Sequence, residues 1–400
     1  MTCASGMLKK AHLRRYGARR RARVKALIAG LALAGVIGGL PAAALAQTGW
    51  VILPSFTLAE EFDDNVFVST TDPKWDFITR MTPGLQLGYR SVPFTLLASG
   101  SIDAEIYANN SELSDAANRK RAALEMKYLP FRLLTLWLNV TYFETNTPSE
   151  LVPTTGLQLA RTRATQLAII PAASYQITSV DTATASYAFF HDTLEGGLDN
   201  DTHRVKAGYA RQLTPVDTGM INYRLHVFEN QGNATTITNA PTLGWKRQLT
   251  PNTVLTLEGG PRFVAGGPSF IDDTVEPEAH GSLEHSFKLA KVALEYHRTE
   301  AIVVGRPGKV ELESVTGSVE IEPVRLLKLR FQPGYYRTFG GEDPTATVYG
   351  FLLGALYPIK TWLTARLDYR FAYQKQADTT LPHNIVTVSL DFVYPVRMAP

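Results

Sequence analysis

Cysteine is nearly absent from this 400-residue chain, whose single example is Cys3. Beyond that position a disulfide framework, a thiolate nucleophile and a cysteine metal centre are excluded. Charge is scarce as well. Charged residues make up 19% of the sequence against 45% hydrophobic ones, a balance too apolar for a disordered chain. Long apolar runs are missing beyond residue 46: nothing there approaches the 18 consecutive apolar residues of a membrane helix, which excludes a helical membrane protein. Positive charge in excess is lacking too. Nine of the 40 Lys and Arg lie in the first 46 residues, which hold no acid, so the remainder carries 31 bases against 37 acids, a balance of −6. A nucleic-acid partner has no compositional support in such a chain.

What is present begins with a leader. The basic start is followed by an apolar run over 26–40 and then by Pro41, Ala42, Ala43, Ala44, Leu45 and Ala46. This is the order of a secretory signal, with cleavage expected after Ala46. The expected organisation is therefore a signal peptide over 1–46 and one exported domain over 47–400. Export leaves a periplasmic soluble protein or an outer-membrane barrel as the two classes open.

Alternation separates them. In the stretch 363–373 one phase reads Leu363, Ala365, Leu367, Tyr369, Phe371 and Tyr373, and the other Thr364, Arg366, Asp368 and Arg370. The stretch 386–394 alternates likewise, Val386, Val388, Leu390, Phe392 and Tyr394 against Thr387, Ser389 and Asp391. Period two over such lengths is the pattern of a strand with one face in lipid and one in water. Two stretches, 347–356 and 164–170, are apolar on both phases and fit the pattern poorly.

A second regularity is a short break at which an aromatic or aliphatic strand end runs into a turn. It recurs at Tyr89, Tyr128, Tyr175, Tyr209, Trp245, Phe287, Ile321 and Tyr357, and the chain closes on Tyr394, at spacings of 34–47 residues. Each spacing holds two spanning strands of about 9–11 residues, one tight turn and one longer loop. The longer polar connections fall at 61–74, 109–118, 146–159, 192–201, 229–235, 266–273, 300–308, 339–343 and 374–383. Short turns on one side and long loops on the other predict a transmembrane antiparallel up-and-down β-barrel of about 18 strands (16–18), all-β, in the outer membrane of a Gram-negative cell.

The residues that carry a resemblance lie in the first hairpins: Glu60, Glu61, Phe62, Asp63, Asp64, Asn65, Val66 and Phe67, then Asp76 to Leu85, then Asp103, Glu105, Tyr107, Asn109 and Asn110. This stretch resembles the type 2 β-barrel porin family, whose members are similar to barrels encoded beside exopolysaccharide export systems. The resemblance implies a channel, with an exopolysaccharide and a periplasmic export protein as partners beside the lipid. In one respect the chain departs from outer-membrane practice. Its terminal aromatic strand is followed by Pro395, Val396, Arg397 and three further residues.

No catalytic constellation is present, and no cofactor is expected. His191 with Asp192, and His285 near Ser282, lack a Gly-x-Ser-x-Gly elbow, and no His-Glu-x-x-His pair offers a zinc site. The acidic clusters Asp63-Asp64-Asn65 and Asp272-Asp273 offer oxygen ligands that could hold Ca²⁺ in outer loops, but solvated turns use the same residues and are the expected reading, so no metal site is assigned. The informative polar residues are those on the inward phase, since charge facing lipid costs about 2–4 kcal/mol near the midplane while charge in a wet lumen costs little. Pore-lining positions are expected at Asp103, Glu105, Arg224, Glu258, Glu295, Lys328, Arg330, Arg366, Asp368, Arg370 and Asp391. Two functions stay open: a channel for hydrophilic solutes or a secreted polysaccharide, and a plugged structural barrel that anchors a periplasmic polysaccharide-export partner.

Overall fold

The computed structural model describes residues 49–230, 235–266, 274–304, 309–340 and 344–397; the expected signal over 1–46 lies outside them. Eighteen long strands follow one another: β1 (Gly49–Asp63), β2 (Asp76–Arg90), β3 (Phe94–Tyr107), β4 (Asp115–Phe131), β5 (Leu134–Thr145), β6 (Ala164–Gln176), β7 (Asp181–Leu194), β8 (Asn200–Gln212) and β9 (Asp217–Asn230). The second half is β10 (Thr236–Thr250), β11 (Thr253–Gly266), β12 (Thr274–Ser286), β13 (Ala290–Ala301), β14 (Val310–Val324), β15 (Leu327–Phe339), β16 (Ala346–Lys360), β17 (Leu363–Gln376) and β18 (Thr379–Val393). Each pairs antiparallel with its neighbours in sequence, and β1 closes on β18 from Ser55↔Val393 to Asp63↔Ile385. Among the described residues the sheet closes without an edge strand, the condition under which strands can cross a bilayer with their ladder groups paired.

The expected eighteen strands are present, and all eight short turns fall where the aromatic breaks put them. Two of these turns share a hydroxyl-carboxylate box: Asp181 N donates to Thr178 Oγ1 and Asp217 N to Thr214 Oγ1, at 3.1 and 3.0 Å. The same carboxylates accept from the girdle, Asp181 from the Tyr209 hydroxyl at 2.5 Å and Asp217 from Trp245 Nε1 at 3.0 Å. An amphipathic ring is thus held at the membrane boundary by its polar tip. At Pro395 the last strand breaks, since proline has no N–H to give. A two-residue strand, β19 (Val396–Arg397), then resumes pairing with Ile52 and Val51, so the seam continues past the aromatic terminus.

Strands run longer than the alternation indicated. Position 374–383, read as a loop, is a tight hairpin between Gln376 and Thr379, with Ala377 at φ 48°. Strand β4 likewise begins at Asp115, inside the expected 109–118 loop. The reason is physical: above the bilayer both faces of a strand are wet, so period two disappears while the backbone ladder goes on.

The outward phase carries the exposed apolar side chains, among them Leu58, Leu85, Leu243, Leu294, Leu353, Leu367 and Val388. A continuous apolar band around a closed sheet is the surface that a bilayer covers. Arg placed at Leu367 or Leu136 is therefore expected to cost about 2–4 kcal/mol, and the same change at Thr364 or Thr135, on the inward phase of the same strands, little. Urea-dependent folding into lipid vesicles reads the difference, and equal costs in both pairs would reverse the assignment of faces.

Candidate functional site

Register carries the inward phase around the barrel. One row runs Arg366↔Ser389↔Ala59↔Arg80↔Glu105, another Lys328↔Leu356↔Arg366, another Arg330↔Gly354↔Asp368, and another Glu258↔His280↔His297. Asp391 pairs with Thr57 and Thr364, Glu295 with Ser282, Arg224 with Ala240, and Arg370 with Leu352. All eleven sequence-selected positions lie on this phase. They divide, however, into covered and open groups.

Asp103 and Glu105 belong to the covered group, so the expectation of direct lumen exposure is corrected for them. Glu105 accepts from Arg80 Nε at 2.8 Å, from Arg119 Nη1 at 2.5 Å and from the Tyr107 hydroxyl at 2.8 Å. Asp103 accepts from Thr82 Oγ1 and Arg121 Nη1, at 2.9 and 3.1 Å. Arg80 reaches on to Glu61 at 3.0 Å, and Arg119 to Glu150 at 2.8 Å. Buried carboxylates persist in such a place because each is paired and hydrogen-bonded.

The cover is the segment 146–163, expected over 146–159 as a long polar loop and found inside the barrel. Two 3-10 turns shape it, Pro148–Glu150 and Pro153–Thr155. Gly156 follows at φ 65°, with the Tyr336 ring where a Cβ would stand, so glycine is required twice over at that position. Leu151 and Val152 pack on Ala164 and Val304, and Leu157 on Val303, Ala346 and Val348. Polar contacts complete the docking: Gln158 N donates to Gln374 Oε1 at 2.8 Å, and the Arg119 guanidinium holds Glu150. The loop packs on two strands, at Ala164 of β6 and at Ala346 and Val348 of β16. Those are the two stretches whose alternation failed in the sequence, and that failure was the available signal of an inward loop.

A second covered cluster links β9 to β14. Arg224 bridges Glu258 and Glu278 at 2.5 Å each, and Arg262, 1% exposed, holds Glu278 at 2.7 Å and also Glu311. Glu300 accepts from Thr238 Oγ1 and lies against His226 Nδ1, both at 2.5 Å. Arg224 and Glu258 were selected from sequence; Arg262, Glu278, Glu300 and Glu311 were not, for nothing in period two marks which inward charges meet across strands. Glu295 stays open beside His297, whose ring stacks on His280 with centroids 4.5 Å apart.

The late strands form the open group. Arg330 reaches Asp368 at 3.0 Å, Arg366 lies 3.2 Å from Asp391, and Arg370 lies 4.0 Å from Glu61. Their side chains are 39%, 43% and 49% exposed. The first pair depends on Gly354 between them on β16, where a Cβ would sit 2.7 Å from both Arg330 Nε and Asp368 Oδ1. A recess of about 550 Å³ opens here, lined by Lys288, Lys291, Glu320, Lys328, Arg330 and Arg366. By contrast, His191 pairs with Asp201 and His285 with Thr253, neither beside a nucleophile arrangement.

Fold and surface together define a closed transmembrane β-barrel of the outer-membrane type, with a charged inner wall and a loop folded into it. No protein-family model matches the chain, and no curated protein is similar to it in sequence. Among solved structures it is similar to OccAB4 of Acinetobacter baumannii, at 11% identity and TM-score 0.49, over 88% of this chain and 99% of that one. It is also similar to two Pseudomonas aeruginosa proteins. The outer membrane protein opdK shows 12% identity and TM-score 0.48 over 86% of this chain and 99% of its own. OprD shows 11% identity and TM-score 0.46 over 90% of this chain and 100% of its own. The barrel assignment itself rests on the strand pairing of this chain.

Proposed function

We propose that the protein is an outer-membrane channel for hydrophilic solutes, narrowed from one side by the segment 146–163. The observation that carries this reading is the wetness of the late wall. Arg330, Arg366 and Arg370 keep 39–49% of their side-chain surface in water, although each lies on the inner phase of a closed sheet. Lys328, Arg330, Asp368, Arg366, Arg370, Asp391 and Glu295 are the residues that line the path, and Asp103, Glu105, Arg224 and Glu258 stiffen the wall behind it. Mixed charges spaced along a wet face give polar solutes weak repeated contacts, strong enough to enter on and weak enough to leave. The finer reading, an exopolysaccharide passing outward with a periplasmic export protein, rests on the N-terminal resemblance alone.

A second reading, a plugged barrel that docks an export partner, has the inward loop and its two ion clusters in its favour. Planar bilayers separate the two. Purified barrel that shows heat-modifiable mobility is expected to insert with discrete conductance steps in potassium chloride. Folded barrel that inserts without any steps would overturn the channel and leave the docking protein.

A further inference from the structure

We infer that Asp63, Asp64 and His383 bind one first-row divalent transition-metal ion, of the Zn²⁺ class, where the first and last strands meet at the loop end of the barrel. One ligand atom from each of the three side chains lies within 4.8 Å of the others. They come from the end of β1, the residue after it and the start of β18, segments held together by the ladder and by Asp64 N donating to Asn384 O at 3.2 Å. The donors therefore sit on one frame rather than on independent loops.

The orientation of His383 points to an ion. Its ring is buried, and Nδ1 faces Gln158 Oε1 at 3.0 Å, which leaves Nε2 directed at Asp63 Oδ1, 2.8 Å away. A ligating histidine characteristically has its other ring nitrogen donating to an oxygen of the outer shell. The carboxylates are steadied in the same way: Asp63 Oδ1 accepts from Asn65 N at 2.8 Å, and Asp64 accepts from Asn384 N and Nδ2 at 2.8 and 2.6 Å. When the ion binds, the Nε2 lone pair goes to the metal and any proton on Nε2 leaves to water. Two carboxylates and a neutral imidazole balance a divalent charge. A nitrogen donor and only three protein ligands suit zinc-like ions with water in the fourth position, and suit Ca²⁺ poorly, since calcium takes six to eight oxygens. Asp63 and His383 open on the cavity beneath the inward loop, which Arg370 and Tyr107 also line. Through Gln158 the ion would fasten that loop to the seam.

The inference stands whether or not the barrel conducts. The test uses the full-length barrel folded in detergent, stripped with a chelator and titrated with zinc chloride by calorimetry. One equivalent is expected, undisturbed by millimolar calcium chloride. Removal of the outer-shell oxygen in Gln158→Leu is expected to weaken binding about 10–100-fold, and His383→Gln and Asp64→Asn at least as much. His297→Gln, at the separate stacked pair, is expected to leave it unchanged. Absence of a stoichiometric site, or undiminished zinc binding in folded His383→Gln, would overturn the assignment. If His383→Gln lacks heat-modifiable mobility, Asp64→Asn decides, because Asp64 lies outside the strands.

Discussion

Arg119→Met is expected to cost the barrel about 3–5 kcal/mol, the range for breaking a buried ion pair from one side. Arg119 is the shared partner of Glu105 and Glu150, with Asp103 at 3.9 Å. Its loss leaves Glu105 with Arg80 and the Tyr107 hydroxyl as close partners and Glu150 with the Thr145 hydroxyl, which donates at 2.8 Å. Methionine fills the volume and supplies no donor. Equilibrium unfolding in urea from lipid vesicles reads the cost. The same change frees the inward loop at one end, so single-channel conductance should rise while the barrel remains closed. Acid offers a milder route to that release. Burial alone would raise the Glu150 carboxyl, yet the Arg119 guanidinium and the Thr145 hydroxyl outweigh it and hold the group below its ordinary value. A carboxyl so depressed stabilises the folded loop at every pH above the ordinary carboxylate range and loses that contribution as pH falls below it. Conductance that stays constant through that acid window, with the barrel folded, would show that Glu150 does not tether the loop.

The barrel was legible because the chain writes it twice, once in the alternation of β17 and β18 and once in the aromatic breaks before each short turn. Strand ends were less legible, for the physical reason that lipid imposes period two and the wet rim does not. The inward course of 146–163 was not legible in the segment itself. Its Pro148, Pro153, Thr154 and Thr155 are what an outward loop would also carry, and its docking residues Leu151, Val152 and Leu157 are too few to read as an element. The partner surface did leave a mark, the weakened alternation of β6 and β16 where Ala164, Ala346 and Val348 meet the loop. The inward charges were found as a set and not as pairs, since parity gives a face but not which arginine crosses to which acid. Arg262 illustrates this, meeting Glu311 from a position 49 residues earlier. His383 joins Asp63 across 320 residues through barrel closure, a contact no local spacing announces.

Removal of charge from the open wall should act on the path and spare the fold, the reverse of the Arg119 outcome. Replacement of both Arg366 and Arg370 by Gln takes two positive charges from the lumen and leaves Asp391, 3.2 Å from Arg366, and Glu61, 4.0 Å from Arg370, less compensated. Both changes favour cations, so the reversal potential under a potassium chloride gradient should move toward the potassium value. The arginines are 43% and 49% exposed, so water screens them and each pair contributes about 0–1 kcal/mol to stability. Urea midpoints should therefore shift little. The change in selectivity should fade at high salt, where the Debye length falls from about 8 Å at physiological ionic strength to about 3 Å at 1 M. An assembled double variant with an unchanged reversal potential would put both arginines outside the conduction path. Failure to assemble would instead make them structural partners of Asp391 and Glu61, and would shift the weight to the plugged, docking barrel.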